Sequence, residues 1–156
     1  MHTENSITMN VPLEKIFETA ADLTGWPRIL PHYRWVRFLE QSPDRTVVTM
    51  AAFRNLPGFG SARIPARWTS EVVIDRLRKQ IRFHHLTAFT KGMDVVWTFK
   101  QAPGGTEVRI LHDMKPHFPI FGSFIAETIV GKFFVSFIAG QTLLHMKHFV
   151  EKNHER

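Results

Sequence analysis

The chain contains no cysteine in its 156 residues. A disulfide framework, a cysteine-ligated zinc site and thiol catalysis are therefore excluded, and a reducing compartment is expected. No glycine-rich phosphate loop, nucleophile elbow or paired-carboxylate motif is present, so the chemistries those motifs support are not expected either. The opening residues Met1 to Asn5 place no basic flank ahead of an apolar run, which predicts a cytoplasmic protein without a secretory signal, at most peripheral to the inner face of a membrane. Linkers and repeats are absent, and the length suits one domain over residues 1–156, large enough to bury a core without staples.

Charge is scarce in one place. Between Phe118 and Leu144 the only formal charges are Glu127 and Lys132. An ordinary surface helix keeps one polar face, yet here Phe121, Phe124, Ile125, Ile129, Phe133, Phe134, Phe137 and Ile138 cover more than half the circumference. A membrane span is disfavoured, because Glu127 and Lys132 near its middle would each cost about 2.5–3.5 kcal/mol and Gly122, Gly131 and Gly140 weaken the helix further. The segment is instead expected to be enclosed by protein, around a cavity suited to a hydrophobic small molecule.

The net charge of +6 permits attraction to anionic surfaces. The basic residues Arg63, Arg67, Arg76, Arg78, Lys79 and Arg82 are dispersed among strand positions and loops, without an aromatic platform, so nucleic acid is not an expected partner.

Residues 6–11 alternate polar and apolar, the mark of a half-buried strand. Pro12 then opens an amphipathic helix carrying Leu13, Ile16, Phe17, Ala20 and Leu23 at three- and four-residue steps, closed by Gly25. A short helical turn bracketed by prolines follows from Trp26. Strands are predicted over 33–40, 45–53, 62–77, 80–88, 93–101 and 106–114. Ser42-Pro43-Asp44, Arg78-Lys79 and Pro103-Gly104-Gly105 supply turns short enough to pair consecutive strands antiparallel. Pro116 and Pro119 end the last strand and open the long helix, with Gly131 a break within it. The fold class is α+β: a curved antiparallel sheet of about seven strands wrapped around a long C-terminal α-helix, with two short helices after the first strand, the helix-grip arrangement.

The order of elements and several motifs carry a resemblance. Asn10-Val11-Pro12, Trp26-Pro27, Trp68-Thr69-Ser70-Glu71, Trp97-Thr98-Phe99, the run Gly104-Gly105-Thr106-Glu107-Val108-Arg109 and Asp113-Met114-Lys115-Pro116 together resemble the START-like superfamily, and within it the polyketide cyclase/dehydrase branch, which includes coenzyme Q-binding proteins. The resemblance implies the helix-grip fold and either a carrier of polyketide, isoprenoid quinone or lipid, or an aromatase/cyclase or dehydrase acting on a poly-β-ketone. Its cyclases place an inward arginine four residues after the tryptophan of the Trp-x-Ser motif; that position is Val72 here. Trp26 and Tyr33 stand where the family has a tryptophan and a tyrosine, whereas Leu30 stands where it often has an aromatic residue.

Strand alternation separates Ile64, Ala66, Trp68, Ser70, Val72 and Ile74 from Arg63, Arg67, Glu71 and Asp75, and the first set should face the cavity. The same count turns Ile81, Phe83 and His85 inward, then Met93, Val95, Trp97 and Phe99, then Val108, Ile110 and His112. Cavity contacts are thus expected from Trp68, Ser70, Val72, Phe83, Val95, Trp97 and Ile110, and the resemblance adds Trp26 and Leu30. The helix should add Phe121, Ile125, Ile129 and Phe133. His85, Val95 and His112 are expected in one row across three strands, and these two histidines with Tyr33, the only tyrosine, are the candidate catalytic or ligand-orienting groups. Pro57, Gly58, Phe59 and Gly60 suggest a lid that moves as ligand leaves, or touches a membrane. No cofactor or metal is expected: His84 and His85 are adjacent on a strand and point to opposite faces, and His145 and His148 lack a carboxylate at matching helical spacing. Homodimer formation through an exposed part of the apolar helix is the remaining partner reading.

Overall fold

The computed structural model describes residues 1–55, 62–115 and 134–154. Seven antiparallel strands form one sheet in the order β1-β7-β6-β5-β4-β3-β2. They are β1 (His2–Met9), β2 (Tyr33–Gln41), β3 (Thr46–Asn55), β4 (Arg63–Asp75), β5 (Gln80–His85), β6 (Asp94–Ala102) and β7 (Gly105–Asp113). Two short helices, α1 (Leu13–Ala21) and α2 (Trp26–Ile29), lie between β1 and β2, and α3 (Ser136–Lys152) follows the sheet. The α+β helix-grip architecture is as the sequence predicts. Residues 116–133, which hold the expected start of the long helix and Gly131, lie outside the described residues, as do residues 56–61.

Local chemistry accounts for the differences in boundaries. The strand predicted over 6–11 begins at His2, because β1 pairs with β7 along its length from His2↔Asp113 to Met9↔Thr106. The first helix stops at Ala21 instead of continuing to Gly25. Asp22 ends it: its carboxylate accepts from the Gly25 amide at 3.3 Å and the Thr24 hydroxyl at 2.6 Å, closing a 3-10 turn at Leu23–Gly25. The strand predicted over 80–88 ends at His85. Beyond it Leu86 and Thr87 tie back to β4, Thr87 Oγ1 accepting from the Thr69 amide at 2.9 Å, and Ala88 adopts φ +67°.

The hairpin Pro103-Gly104 joins β6 to β7 as expected, with Gly104 at φ +83°. Gly105 is required by space as well as by its φ of +132°: a Cβ there would lie 2.1 Å from the Met9 carbonyl oxygen.

One face of the sheet is buried. On β4, Ala66, Ser70 and Val72 are buried while Arg63 and Arg67 are exposed, as the alternation demands. Helix α3 covers this face with a stripe of Ile138, Ala139, Thr142, Leu143, Met146 and Val150. It is held to β1 and the turn that follows it by polar ties at both ends: Asn5 Nδ2 donates to the Ser136 carbonyl at 3.2 Å, Lys147 Nζ to the Thr8 carbonyl at 2.8 Å, and the Asn10 amide to Glu151 at 2.8 Å. Among the described residues no helix is long and apolar enough to cross a membrane.

Candidate functional site

A cavity of about 70 Å³ opens between the inner face of the sheet and α3. Trp26 forms its floor. The indole Nε1–H donates to the Ala20 carbonyl at 3.0 Å, locking the ring beneath α1, and its faces and edges meet Tyr33, Trp97 and Phe83 at centroid distances of 5.2, 5.5 and 5.9 Å. Trp68, Val95 and Ile110 extend the sheet wall, and Val135, Ile138 and Ala139 form the helix wall. Phe89 and Phe134 also line the space; they meet edge to face at 5.3 Å, and Phe89 is 44 % exposed, which places it at the mouth. Room for a few water-sized groups in an aromatic surround describes a slot.

Few polar groups interrupt this lining. His85 Nδ1 lies 2.7 Å from Thr90 Oγ1, and its ring stacks on Trp68 at 5.9 Å and 20°. Burial lowers the His85 pKa to about 3, with His112 and His84 adding to the fall. His112 is lowered to about 4 by burial and then by His2, and its Nδ1 has no hydrogen-bond partner among the described residues. Burial pushes the Tyr33 phenol well above its ordinary value, Thr142 opposing. Thr142 Oγ1 donates to the Ile138 carbonyl at 2.8 Å and therefore accepts from His32 Nε2, also at 2.8 Å. At neutral pH the buried His85 and His112 and the half-buried His32 are all uncharged.

Of the expected contacts, Trp26, Tyr33, Trp68, Phe83, Val95, Trp97 and Ile110 line the cavity together with His85 and His112. Leu30, Ser70 and Val72 are buried in the core and are not part of its wall. Ser70 Oγ has no hydrogen-bond partner among the described residues. Phe121, Ile125, Ile129 and Phe133, and the lid residues Pro57, Gly58, Phe59 and Gly60, lie outside the described residues. The expected row of His85, Val95 and His112 requires correction. Val95 pairs with His112 on one side and with Phe83 on the other, whereas His85 faces Ser70 and exchanges hydrogen bonds with Met93 and Gly92. The β5–β6 connection takes a register two residues from the expected one. A two-residue shift keeps every side chain on its face, so both histidines still reach the cavity, diagonally rather than in line.

Sequence reasoning missed Met50, Phe89, Thr90, Val135, Ala139 and Thr142 as cavity residues. Met50 follows the alternation of Val48 and Ala52 and could have been found by parity. Thr90 sits in a loop, where period two gives no guidance. His32 carried no signal at all, since its partners Thr142 and His145 lie more than a hundred residues away on α3. Among the described residues no three metal-ligating side chains come together.

A sheet gripping a helix across an apolar, aromatic-walled cavity defines the START-like, helix-grip class. The chain belongs to the family described as polyketide cyclase / dehydrase and lipid transport, whose profile matches residues 9–137. A putative polyketide cyclase of Streptomyces halstedii is 31% identical over 109 residues, covering 69% of this chain and 95% of the relative. In architecture the chain is similar to the Zhui aromatase/cyclase from Streptomyces sp. R1128, with a TM-score of 0.80 at 19% identity, covering 99% of this chain and 95% of that one. A START superfamily protein from Mycobacterium smegmatis is also similar, with a TM-score of 0.63 at 16% identity over 99% of this chain and 97% of that one.

Proposed function

We propose that the cavity binds a hydrophobic, ring-bearing small molecule of the polyketide, isoprenoid quinone or lipid class, for carriage or presentation. The observation that carries this reading is the aromatic slot itself, walled by Trp26, Trp68, Phe83 and Trp97 and interrupted by few polar side chains. Burying about 200 Å² of apolar ligand surface there contributes on the order of 5 kcal/mol, before the cost of association. Tyr33, His85 and His112 orient a polar end of the ligand, the tyrosine by donating to a carbonyl. Entry requires the Phe89–Phe134 pair at the mouth to part, because the closed slot is narrower than a drug-sized ligand needs.

Native mass spectrometry of protein purified from its own host tests this. A copurifying apolar molecule, displaced by substituting Trp68→Asp at the wall, is the expected result; a protein that is empty and has no affinity for panels of quinones, polyketides and lipids refutes it.

The second reading is a polyketide aromatase/cyclase or dehydrase. It is favoured by the family and by the name of the Streptomyces halstedii relative. Valine at position 72 supports binding over catalysis, since the cationic donor of the cyclases it resembles is missing there. If His85 or His112 is the general base, alanine at that position slows product formation by about 10²-fold or more. Unchanged turnover in both variants removes them from the mechanism.

A further inference from the structure

A second cleft lies behind the cavity, on the other side of the His32–Thr142 hydrogen bond. It has a volume of about 160 Å³ and is built where the start of β2, the end of β3, the start of β4 and α3 converge. Its polar lining consists of His32, Asn55, Arg63, Gln141 and His145, and no carboxylate contributes to it among the described residues. Phe53 and Phe137 supply the apolar surface. The Arg63 guanidinium lies over the Phe53 ring, 5.8 Å from its centroid, and Arg34 lies at the same distance from that ring. Neither arginine has an acidic partner among the described residues. His32 and His145 stand 5.9 Å apart, ring to ring, and His32 Nδ1 is buried without a hydrogen-bond partner among the described residues.

Arginine and amide donors therefore meet in a concave site that no carboxylate lines among the described residues, and His32 Nδ1, an acceptor while the neutral ring donates through Nε2, becomes a further donor once the ring is protonated. We propose that this cleft binds an oxyanion, the carboxylate or phosphate end of a small molecule, between the Arg63 guanidinium and the imidazoles of His32 and His145. Arg63 offers paired N–H groups suited to such an anion, and the Asn55 and Gln141 amides supply further donors. The site is distinct from the hydrophobic cavity and stands whether or not that cavity carries a ligand.

The geometry also couples the anion to a proton. Burial lowers the His32 pKa to about 4, and the neighbouring His145 adds to the fall. A bound anion opposes both causes, so binding should draw a proton onto His32. The other groups facing this region are Tyr33 and Thr142 around the His32 ring, Arg63 on β4 and Arg54 on β3, whose guanidinium lies 4.7 Å over the Phe137 ring. None of them is acidic in this pH range, so affinity should rise as pH falls.

The test is a titration of histidine-labelled protein with sodium acetate and, separately, inorganic phosphate, followed by the ring signals of all histidines. The expected result is saturable movement of His32 and His145 while His85 and His112 stay still. Saturation by either anion supports the proposal, and the tighter one names the class. Acetate, which stays mostly ionised over the interval, should bind about threefold or more tightly at pH 5.5 than at 7.5. Arg63→Gln and His145→Asn, both at solvent-accessible positions, should each weaken binding by about tenfold. Non-saturating drift, unchanged affinity in Arg63→Gln, or movement of His85 and His112 in place of His32 would each overturn it.

Discussion

Acid should destabilise this protein well above the pH at which its carboxylates titrate. His85 and His112 are buried and neutral, with pKa values lowered to about 3 and about 4, and His32 is lowered to about 4. In the unfolded chain each returns to about 6.5, so between these limits the unfolded state binds the extra protons and stability falls as pH drops. From pH 7.5 to 5 an unfolded histidine gains nearly a full proton while its folded counterpart stays neutral, which removes about 2 kcal/mol per group. His85 and His112 together lose about 4 kcal/mol, and His32, less completely buried, adds somewhat less than 2. A domain stable by about 5–15 kcal/mol gives up much of its margin over that interval. The depressed carboxylates of Asp75 and Glu151 act in a separate window, since their contributions are present above the ordinary carboxylate pKa and are lost only below it. Urea unfolding at pH 7.5, 6 and 5 measures the loss directly. His112→Leu should stay folded at pH 7.5 and recover about 2 kcal/mol of the loss at pH 5. A decline of less than about 2 kcal/mol in the parent, or an equal decline in the variant, refutes neutral burial of these rings.

Trp26→Phe removes the hydrogen bond to the Ala20 carbonyl and leaves a void beneath the cavity; a loss of about 2–3 kcal/mol is expected from the shift in urea midpoint. Ser70→Ala should be neutral or stabilising by up to about 1 kcal/mol, since the buried hydroxyl has no partner among the described residues; a loss beyond about 1 kcal/mol in thermal unfolding would reveal an interaction that Ser70 makes in solution. Gly105→Ala must move the Met9 carbonyl and strain a positive φ, so a cost of about 3 kcal/mol or more is expected in the same assay, with β1–β7 amides losing hydrogen-exchange protection first.

The fold was legible because its periods are clean. Alternation on β4 assigned Ala66, Ser70 and Val72 to the inner face, and Pro103-Gly104 marked the β6–β7 hairpin because proline and glycine prefer the two central positions of that turn. The cavity's sheet wall follows from the same parity. Its register did not, because the β5–β6 connection is held by Thr87, Ala88 and Thr90 in contacts that no turn motif announces. Parity also overreached: an inward side chain on a curved sheet can be covered by its neighbours, as Ser70 and Val72 are on β4, and the expectation for Leu30, which came from the resemblance, met the same burial at the exit of α2. The second cleft was illegible for another reason. It assembles His32, Arg63 and His145 from segments remote in the chain, and each residue alone looks like an ordinary polar surface residue.

The lining that favours a hydrophobic ligand works against base catalysis by the same histidines. A general base works best with a pKa near the operating pH, and each unit below it adds about 1.4 kcal/mol to proton transfer. Lowered to about 3 and about 4, His85 and His112 stand three or four units under a base poised at 7, a handicap in driving force of which the rate feels a Brønsted fraction. A neutral apolar ligand deepens the handicap by displacing any remaining water from the slot. Only a ligand that brings negative charge, such as an enolate forming beside His112, can raise these rings toward a useful value. Catalysis through them would consequently appear as an upward shift of the His85 or His112 titration on binding an enolate analogue, whereas carriage of an apolar molecule leaves both rings neutral and lowers their pKa values further.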